Sequence, residues 1–281
     1  MKNILERLLF VFNITLLPKA LIANRELLFQ VVQRNITGRY RGAFLGLLWS
    51  FVQPLMMLTV YTFVFSVIFK ARWGVDVPGG ASQGGFAVIM FCGIALFNIF
   101  SESVMSACAC ITSNPNFVKK VVFPLDILPF AQTLSSFAFG LVWILLLFPG
   151  AVFILDVISF KMLLLPLILL ELFIFSLGIS YFVASMTVFV RDTQYVVGVV
   201  LQILFFMTPI FYPLEMVPAV FQKPLQLNPL TIMIEQARNV FLYDKMPDWS
   251  FLGIALLVSL LVMQLGFAWF YKTKKGFADV L

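Results

Sequence analysis

The chain has no histidine, so no imidazole is present to act as a general base or to complete a mixed zinc site. Charge is also scarce: 11% of the 281 residues are Asp, Glu, Lys or Arg, against about 25% in an ordinary soluble domain. With 62% hydrophobic residues and a mean hydropathy of +1.02, a water-soluble globular chain is excluded. No G-x-x-x-x-G-K-[ST] run occurs, so the backbone nest and lysine that cradle ATP phosphates are absent. Cys92, Cys108 and Cys110 sit in or beside one apolar stretch, an odd number with no pairing pattern, and read as small helix-packing residues. No metal site is expected. A membrane glycosyl- or acyltransferase would need a catalytic base or metal ligands at depth, and no D-x-D occurs. A proton-coupled carrier would normally show internal repeats, and none is evident.

What the chain does contain is apolar runs long enough to cross a ~30 Å hydrocarbon core, separated by short polar stretches. Six are predicted, over residues 42–69, 86–111, 127–155, 162–190, 193–212 and 251–271. The expected fold class is therefore an all-α membrane protein with six transmembrane helices. Pro149 and Gly150 should kink or end the third span, while Pro54 and Pro166 lie near span starts, where a lost backbone bond is tolerable. The apolar run 8–17, before a helix-stopping Pro18, resembles a signal peptide, but Glu6 and Arg7 interrupt its start and no A-x-A site follows; it is expected to be retained.

The net charge of +6 lies beside the apolar runs, where it sets topology and meets anionic lipid, so nucleic acid is not implied. Placing the N-terminus in the cytoplasm puts Lys2, Arg7, Lys19, Arg25, Arg34, Arg39, Arg41, Lys119, Lys120, Arg191, Lys272, Lys274 and Lys275 inside. Lys70, Arg72, Lys161, Lys223, Arg238 and Lys245 then lie outside, a ratio of 13 to 6 that favours both termini inside.

Three stretches depart from spans joined by short loops. In the arm over residues 1–41, Glu26, Gln30, Gln33, Arg34 and Thr37 alternate with Leu28, Val31, Val32 and Ile36 as in an in-plane amphipathic helix, with Asn24 as cap and Gly38 as stop. In the loop 114–129, Pro115 and Pro124 leave room for a short helix carrying Lys119 and Lys120 beside exposed Phe117, Val121 and Phe123. Such a helix fits a partner's groove; a basic loop resting on headgroups reads the same residues equally well. The segment 213–248 is too apolar for a solvated loop and too broken by Pro213, Pro218, Pro224 and Pro229 for a span. Its half 230–243 places Thr231, Glu235, Arg238 and Asn239 on one helical face and Ile232, Met233, Ala237, Val240 and Phe241 toward the other. Two short re-entrant helices lining a conduit satisfy both features.

The order of these features resembles a known family. Arg25-Glu26-Leu27, Arg39-Tyr40-Arg41-Gly42, Leu45 to Trp49 and Gln53-Pro54-Leu55 are similar to the start of the first span in type-2 ABC exporter permeases that move polysaccharides. Asn114 to Pro129, Thr208 to Pro213 and Asn228 to Thr231 extend the likeness over nearly the whole chain, the longer N-terminus 1–20 being the main departure. The resemblance implies a homodimer docked on two copies of a separate ATPase, which would bind ATP and Mg, with no cofactor in this chain. It implies a bacterial inner-membrane location, a lipid-linked glycan of O-antigen, capsule or teichoic type as cargo, and contact with membrane lipid. It also implies that Asn116, Phe117, Lys119, Lys120, Phe123 and Asp126 couple to the ATPase. A drug or small-lipid exporter of the same superfamily is the alternative.

Charge and aromatic placement nominate further residues. Arg34, Arg39 and Arg41 cluster where the arm meets the first span and suit phosphate headgroups, or serve as ordinary inside anchors. Trp49, Tyr61, Phe65, Phe69, Phe205, Phe206, Phe211 and Tyr212 could stack sugars along a path, or face lipid and pack. Glu102 and Glu171 are expected about ten residues from span ends, ~15 Å deep, with no basic residue inside any span to pair with them. Glu102, beside Asn98, Ser101, Ser103 and Ser106, is placed on a polar interior face; Glu171 has no such company.

Overall fold

A computed structural model describes residues 16–70, 73, 82–119 and 123–281, so Lys120, Val121, Arg72 and the arm before residue 16 lie outside the described residues. The described residues form helices and connecting turns, with no strand among them. Two helices open the described residues, α1 (Leu16–Ala23) and α2 (Arg25–Gly38). Pro18 does not stop a helix: it lies within α1, which runs on to Ala23. Asn24 stands at the cap position of α2 but does not cap it through its side chain, whose Nδ2 donates backward to Ala20 O (2.8 Å) at the junction of the two helices.

Residues 42–45 are turn rather than span, because Gly42 (φ +88°) and Gly46 (φ +51°) adopt left-handed backbone that interrupts helix. The span then runs through a 3-10 turn, Gly46–Leu48, into α3 (Trp49–Tyr61) and a π-helical continuation, Thr62–Ile68. α4 (Gln83–Cys108), opened by a Ser82 side-chain cap on Gly85 N, forms the centre of the bundle. A short α5 (Pro115–Lys119) leads to α6 (Ile127–Phe153), which continues one turn beyond Pro149 instead of ending there. α7 (Leu165–Phe189) carries Pro166 in its first turn, as anticipated.

The predicted fifth span is cut short. α8 (Thr193–Met207) stops before Pro209, whose ring drives Thr208 into extended backbone (ψ 138°). Two short helices follow, α9 (Ala219–Gln226) and α10 (Pro229–Phe241), then α11 (Trp249–Thr273) and a terminal α12 (Phe277–Val280). Five helical stretches are long and apolar enough to cross a membrane: Gly46–Phe65, Gly84–Cys108, Ile127–Phe153, Phe160–Phe189 and Trp249–Val280; Thr193–Met207 is apolar but shorter.

α4 packs against α6, α7, α8 and α10, and 83% of its span residues are buried, against 6% for the span of α3. α3 is thus a peripheral helix with most of its apolar surface uncovered. The tightest pairing is α7 with α11, where Gly178 meets the backbone of Met263 and Gly266 lies against the carbonyl of Gly178, in the small-residue manner of membrane helix crossings. A second apolar cluster, including Val31, Ile127, Tyr181, Phe270 and Phe277, closes the end of the bundle that carries α2, α5 and α12. At the opposite end Lys161 Nζ reaches Asp244 O (2.7 Å) and Oδ1 (2.9 Å), tying the loop before α7 to that after α10. The Ser159 hydroxyl donates to the same carboxylate, and these bonds, Ser159 first and then Lys161, hold Asp244 below the usual carboxyl range.

Arg238 does not lie on a solvated outer face but is fully buried. Nη1 donates to Pro209 O (2.7 Å) and Glu235 Oε1 (2.6 Å), Nη2 to Ile210 O (3.1 Å) and Nε to Ile89 O (3.3 Å), while the guanidinium lies 4.3 Å from the Trp73 ring centroid. One side chain therefore supplies donors to the non-helical carbonyls where α8 breaks, and joins that break to α4 and α10. Buried irregular backbone requires such partners. Consequently α10 buries both of its faces, Thr231 and Gln236 included, leaving Glu235 and Asn239 part-exposed.

Candidate functional site: a polar groove beside an aromatic face

The turns after α2 carry Arg39 back onto the bundle, through bonds from Arg41 N to Gly38 O (3.3 Å) and Ala43 N to Tyr40 O (3.1 Å). There Arg39 Nη1 pairs with Glu102 Oε1 at 3.0 Å, and its guanidinium lies 4.4 Å from the Phe139 ring centroid. Tyr40 meets Phe139 edge-on at 5.8 Å. Glu102 is therefore not without a basic partner; the arm supplies one, which span-by-span inspection could not foresee. It is also shallower than expected, because α4 ends at Cys108, six residues on, or ~9 Å along the helix.

Three adjoining cavities lie along this face, two of them bordered by the pair. The most enclosed, about 130 Å³, is bordered by Arg39, Gln53, Tyr61, Asn98, Glu102 and Phe205 among others. The next, about 410 Å³, shares Arg39, Glu102, Ser136 and Phe139 with it and adds Arg34, Asn35 and Gln132. A third of about 200 Å³ continues past Arg34, Asn35 and Gln132 to Ser113 and Asn114. Asn35 Nδ2 donates to Gln132 Oε1 (3.0 Å), tying α2 to α6, and the Ser106 and Ser136 hydroxyls share a bond (3.2 Å) between α4 and α6. The result is a groove walled by amide, hydroxyl and guanidinium groups together with the Glu102 carboxylate; its guanidinium and amide donors suit an anionic, hydrogen-bonding ligand.

Of the three nominated arginines, Arg34 and Arg39 border the groove, whereas Arg41 is exposed outside its lining. The aromatic nominees converge. Phe65 stacks on Phe211 (4.7 Å, 17°), Tyr61 lies 5.7 Å and Phe205 5.1 Å from Phe211, Phe69 packs on Phe65 (5.8 Å) and Phe206 on Phe205 (5.5 Å). The first and fifth apolar stretches thus present one ring-rich face adjoining the most enclosed end of the groove. Tyr212 joins it by donating its hydroxyl to Phe206 O (3.0 Å), while Trp49 stands apart, half-exposed on α3. Glu171 is buried in α7, and its Oε1 has no hydrogen-bond partner among the described residues.

In the loop between α4 and α6, Asn116 and Lys119 are exposed, but Phe117 and Phe123 stack on one another (4.5 Å, 10°) rather than standing free. Arg34 lies 5.5 Å from the Phe117 ring, linking this loop to the groove. Asp126 faces inward. It is buried, takes Lys274 Nζ on both oxygens (2.8 and 3.0 Å), and its carbonyl accepts the Tyr181 hydroxyl (2.8 Å). The loop is therefore clamped to the C-terminal end of α11. Lys274→Met is expected to lower stability by about 2 kcal/mol, less than the ~3–5 kcal/mol of a fully buried pair, because Lys274 retains some solvent. Asp126→Asn in the same chain should recover most of the loss in a detergent melting measurement.

Sequence inspection missed Asn35, Gln53, Gln132, Ser136 and Phe139. Gln132 and Ser136 lie one turn apart on an otherwise apolar span, and polar residues at that spacing were the available signal.

This arrangement, with several apolar helices around one buried helix, is that of a membrane-embedded domain. The model for the ABC-2 type transporter family matches residues 26–242, and the chain belongs to that family. It is 29% identical over 266 residues to the O-antigen export system permease protein RfbA of Myxococcus xanthus, covering 94% of this chain and 98% of that protein. A Klebsiella pneumoniae protein of the same name is 26% identical over 261 residues, covering 91% and 95%. The polysialic acid transport protein KpsM of Escherichia coli is 26% identical over 255 residues, covering 89% and 93%.

Proposed function

We propose that the chain is the membrane-spanning subunit of an exporter that moves a lipid-linked polysaccharide across the bacterial cytoplasmic membrane, powered by a separate ATPase that binds ATP and Mg. The observation that carries this reading is the adjacency of a cationic polar groove and an aromatic face, in a chain similar along nine-tenths of its length to O-antigen export permeases. The groove receives the anionic headgroup; the rings offer sugars their apolar faces.

Six crossings with both termini cytoplasmic fit the basic-residue distribution. α8 alone reaches only ~22 Å, and the non-helical residues after it extend the fifth crossing. α9 and α10 then form re-entrant elements at the outer mouth. The uncovered apolar surface of α3 is where a second copy would join, giving a homodimer on two ATPase copies. Asn116 and Lys119 present the contact to the ATPase, with Lys120 beside them in the sequence.

Deletion of the gene is expected to trap a lipid-linked glycan in the cytoplasm, read by glycan labelling of intact against permeabilised cells; normal surface glycan would overturn the cargo. Lys119→Glu should reduce co-purification with the cognate ATPase at least tenfold. Unchanged co-purification and transport would remove the coupling role.

A further inference from the structure

We propose that Glu102 is a built-in competitor for the anion site of the groove, holding Arg39 when no phosphate is bound and being displaced when one arrives. This rests on the reading of Arg39 as a headgroup contact and adds the residue that sets its selectivity.

The pair is built for exchange. Arg39 is positioned by more than the carboxylate: its guanidinium lies against Phe139 and Tyr40 at 4.4 and 5.6 Å, so it stays in place if Glu102 leaves. Glu102 has no described side-chain partner besides Arg39, and its side chain is 43% exposed against 27% for Arg39. Both border cavities of about 130 and 410 Å³, so the carboxylate has space to withdraw into and a ligand has space to enter. An ion pair this exposed is weak, whereas a phosphate dianion engages a guanidinium through two charge-assisted bonds. Arg34, Asn35 and Gln132 line the same groove and supply further donors.

The consequence is selectivity. A neutral or zwitterionic headgroup gains too little at Arg39 to expel Glu102, while a phosphomonoester or diphosphate headgroup outcompetes it.

The test uses the full chain in phosphatidylcholine nanodiscs, with phosphatidic acid and, separately, inorganic pyrophosphate as probes. Glu102→Gln is expected to bind phosphatidic acid about tenfold more tightly than wild type, with phosphatidylcholine retention unchanged and an unshifted melting midpoint. Arg39→Gln should lose the binding. Wild type is expected to bind either probe more weakly than Glu102→Gln does. Pyrophosphate acting alone would locate recognition in the phosphate; phosphatidic acid acting alone would add a requirement for the membrane anchor. Both keep Glu102 as competitor. Equal or weaker phosphate binding by Glu102→Gln overturns the proposal. Since none of these measurements involves glycan, the cargo assignment can fail while this one stands, and the reverse.

Discussion

Arg238→Met is expected to cost roughly 3–5 kcal/mol and to leave little folded protein after detergent extraction, the largest effect of any single substitution considered. The side chain is fully buried and its donors reach three carbonyls and one carboxylate. Two of those carbonyls, on Pro209 and Ile210, belong to non-helical backbone between α8 and α9, where no helix supplies an N–H. Removing the guanidinium leaves them buried without a donor. Glu235 keeps 29% of its side-chain exposure and can rehydrate, so Glu235→Gln added to Arg238→Met should recover little. Arg238→Lys should recover only part, since an ammonium cannot span the fork of acceptors. Size-exclusion yield and the melting midpoint together check this; a wild-type midpoint for Arg238→Met would mean that the break after α8 is supported by other groups.

The second large effect is expected at the α7–α11 crossing. A Cβ on Gly266 would stand 1.9 Å from Gly178 O, and one on Gly178 would stand 2.5 Å from the Met263 backbone. Backbone cannot rotate aside as a side chain does, so the helices must separate and lose packing along their length. Gly266→Ala should cost at least the ~1–3 kcal/mol typical of overpacking, and Gly266→Val more. Gly198→Ala and Gly253→Ala serve as controls, because a Cβ at either meets nothing within 4 Å. If thermal unfolding ranks all four variants together, the close crossing is not what holds these helices.

Much of the architecture could be read from residue order, and the misses share a cause. The amphipathic arm, the short helix between Pro115 and Pro124 and the two helices after Pro213 each rest on local signals, namely periodicity and proline, which act within a few residues. The outcomes for Pro18, Asn24, Pro149 and the fifth span were also local, but turned on which competing signal prevailed: Pro166 in the first turn of α7 is harmless, whereas Pro209 stops α8 at Met207. The partners of Arg238 and Asp126 lay out of reach for a different reason: nothing near either residue in sequence announces the carbonyls of Pro209 and Ile210 or the ammonium of Lys274, 148 positions away.

Composition and hydropathy by themselves determined that this chain lives in a membrane as a bundle of helices, because oily runs of that length have no other stable way to satisfy their backbones. They also determined which residues carry charge or rings. Only the tertiary structure decided which of these meet: Arg39 with Glu102, Lys274 with Asp126, the rings of the first apolar stretch with those of the fifth. Helix periodicity states which way a side chain points but not which helix stands opposite, and that is settled by close packing of the whole bundle around α4.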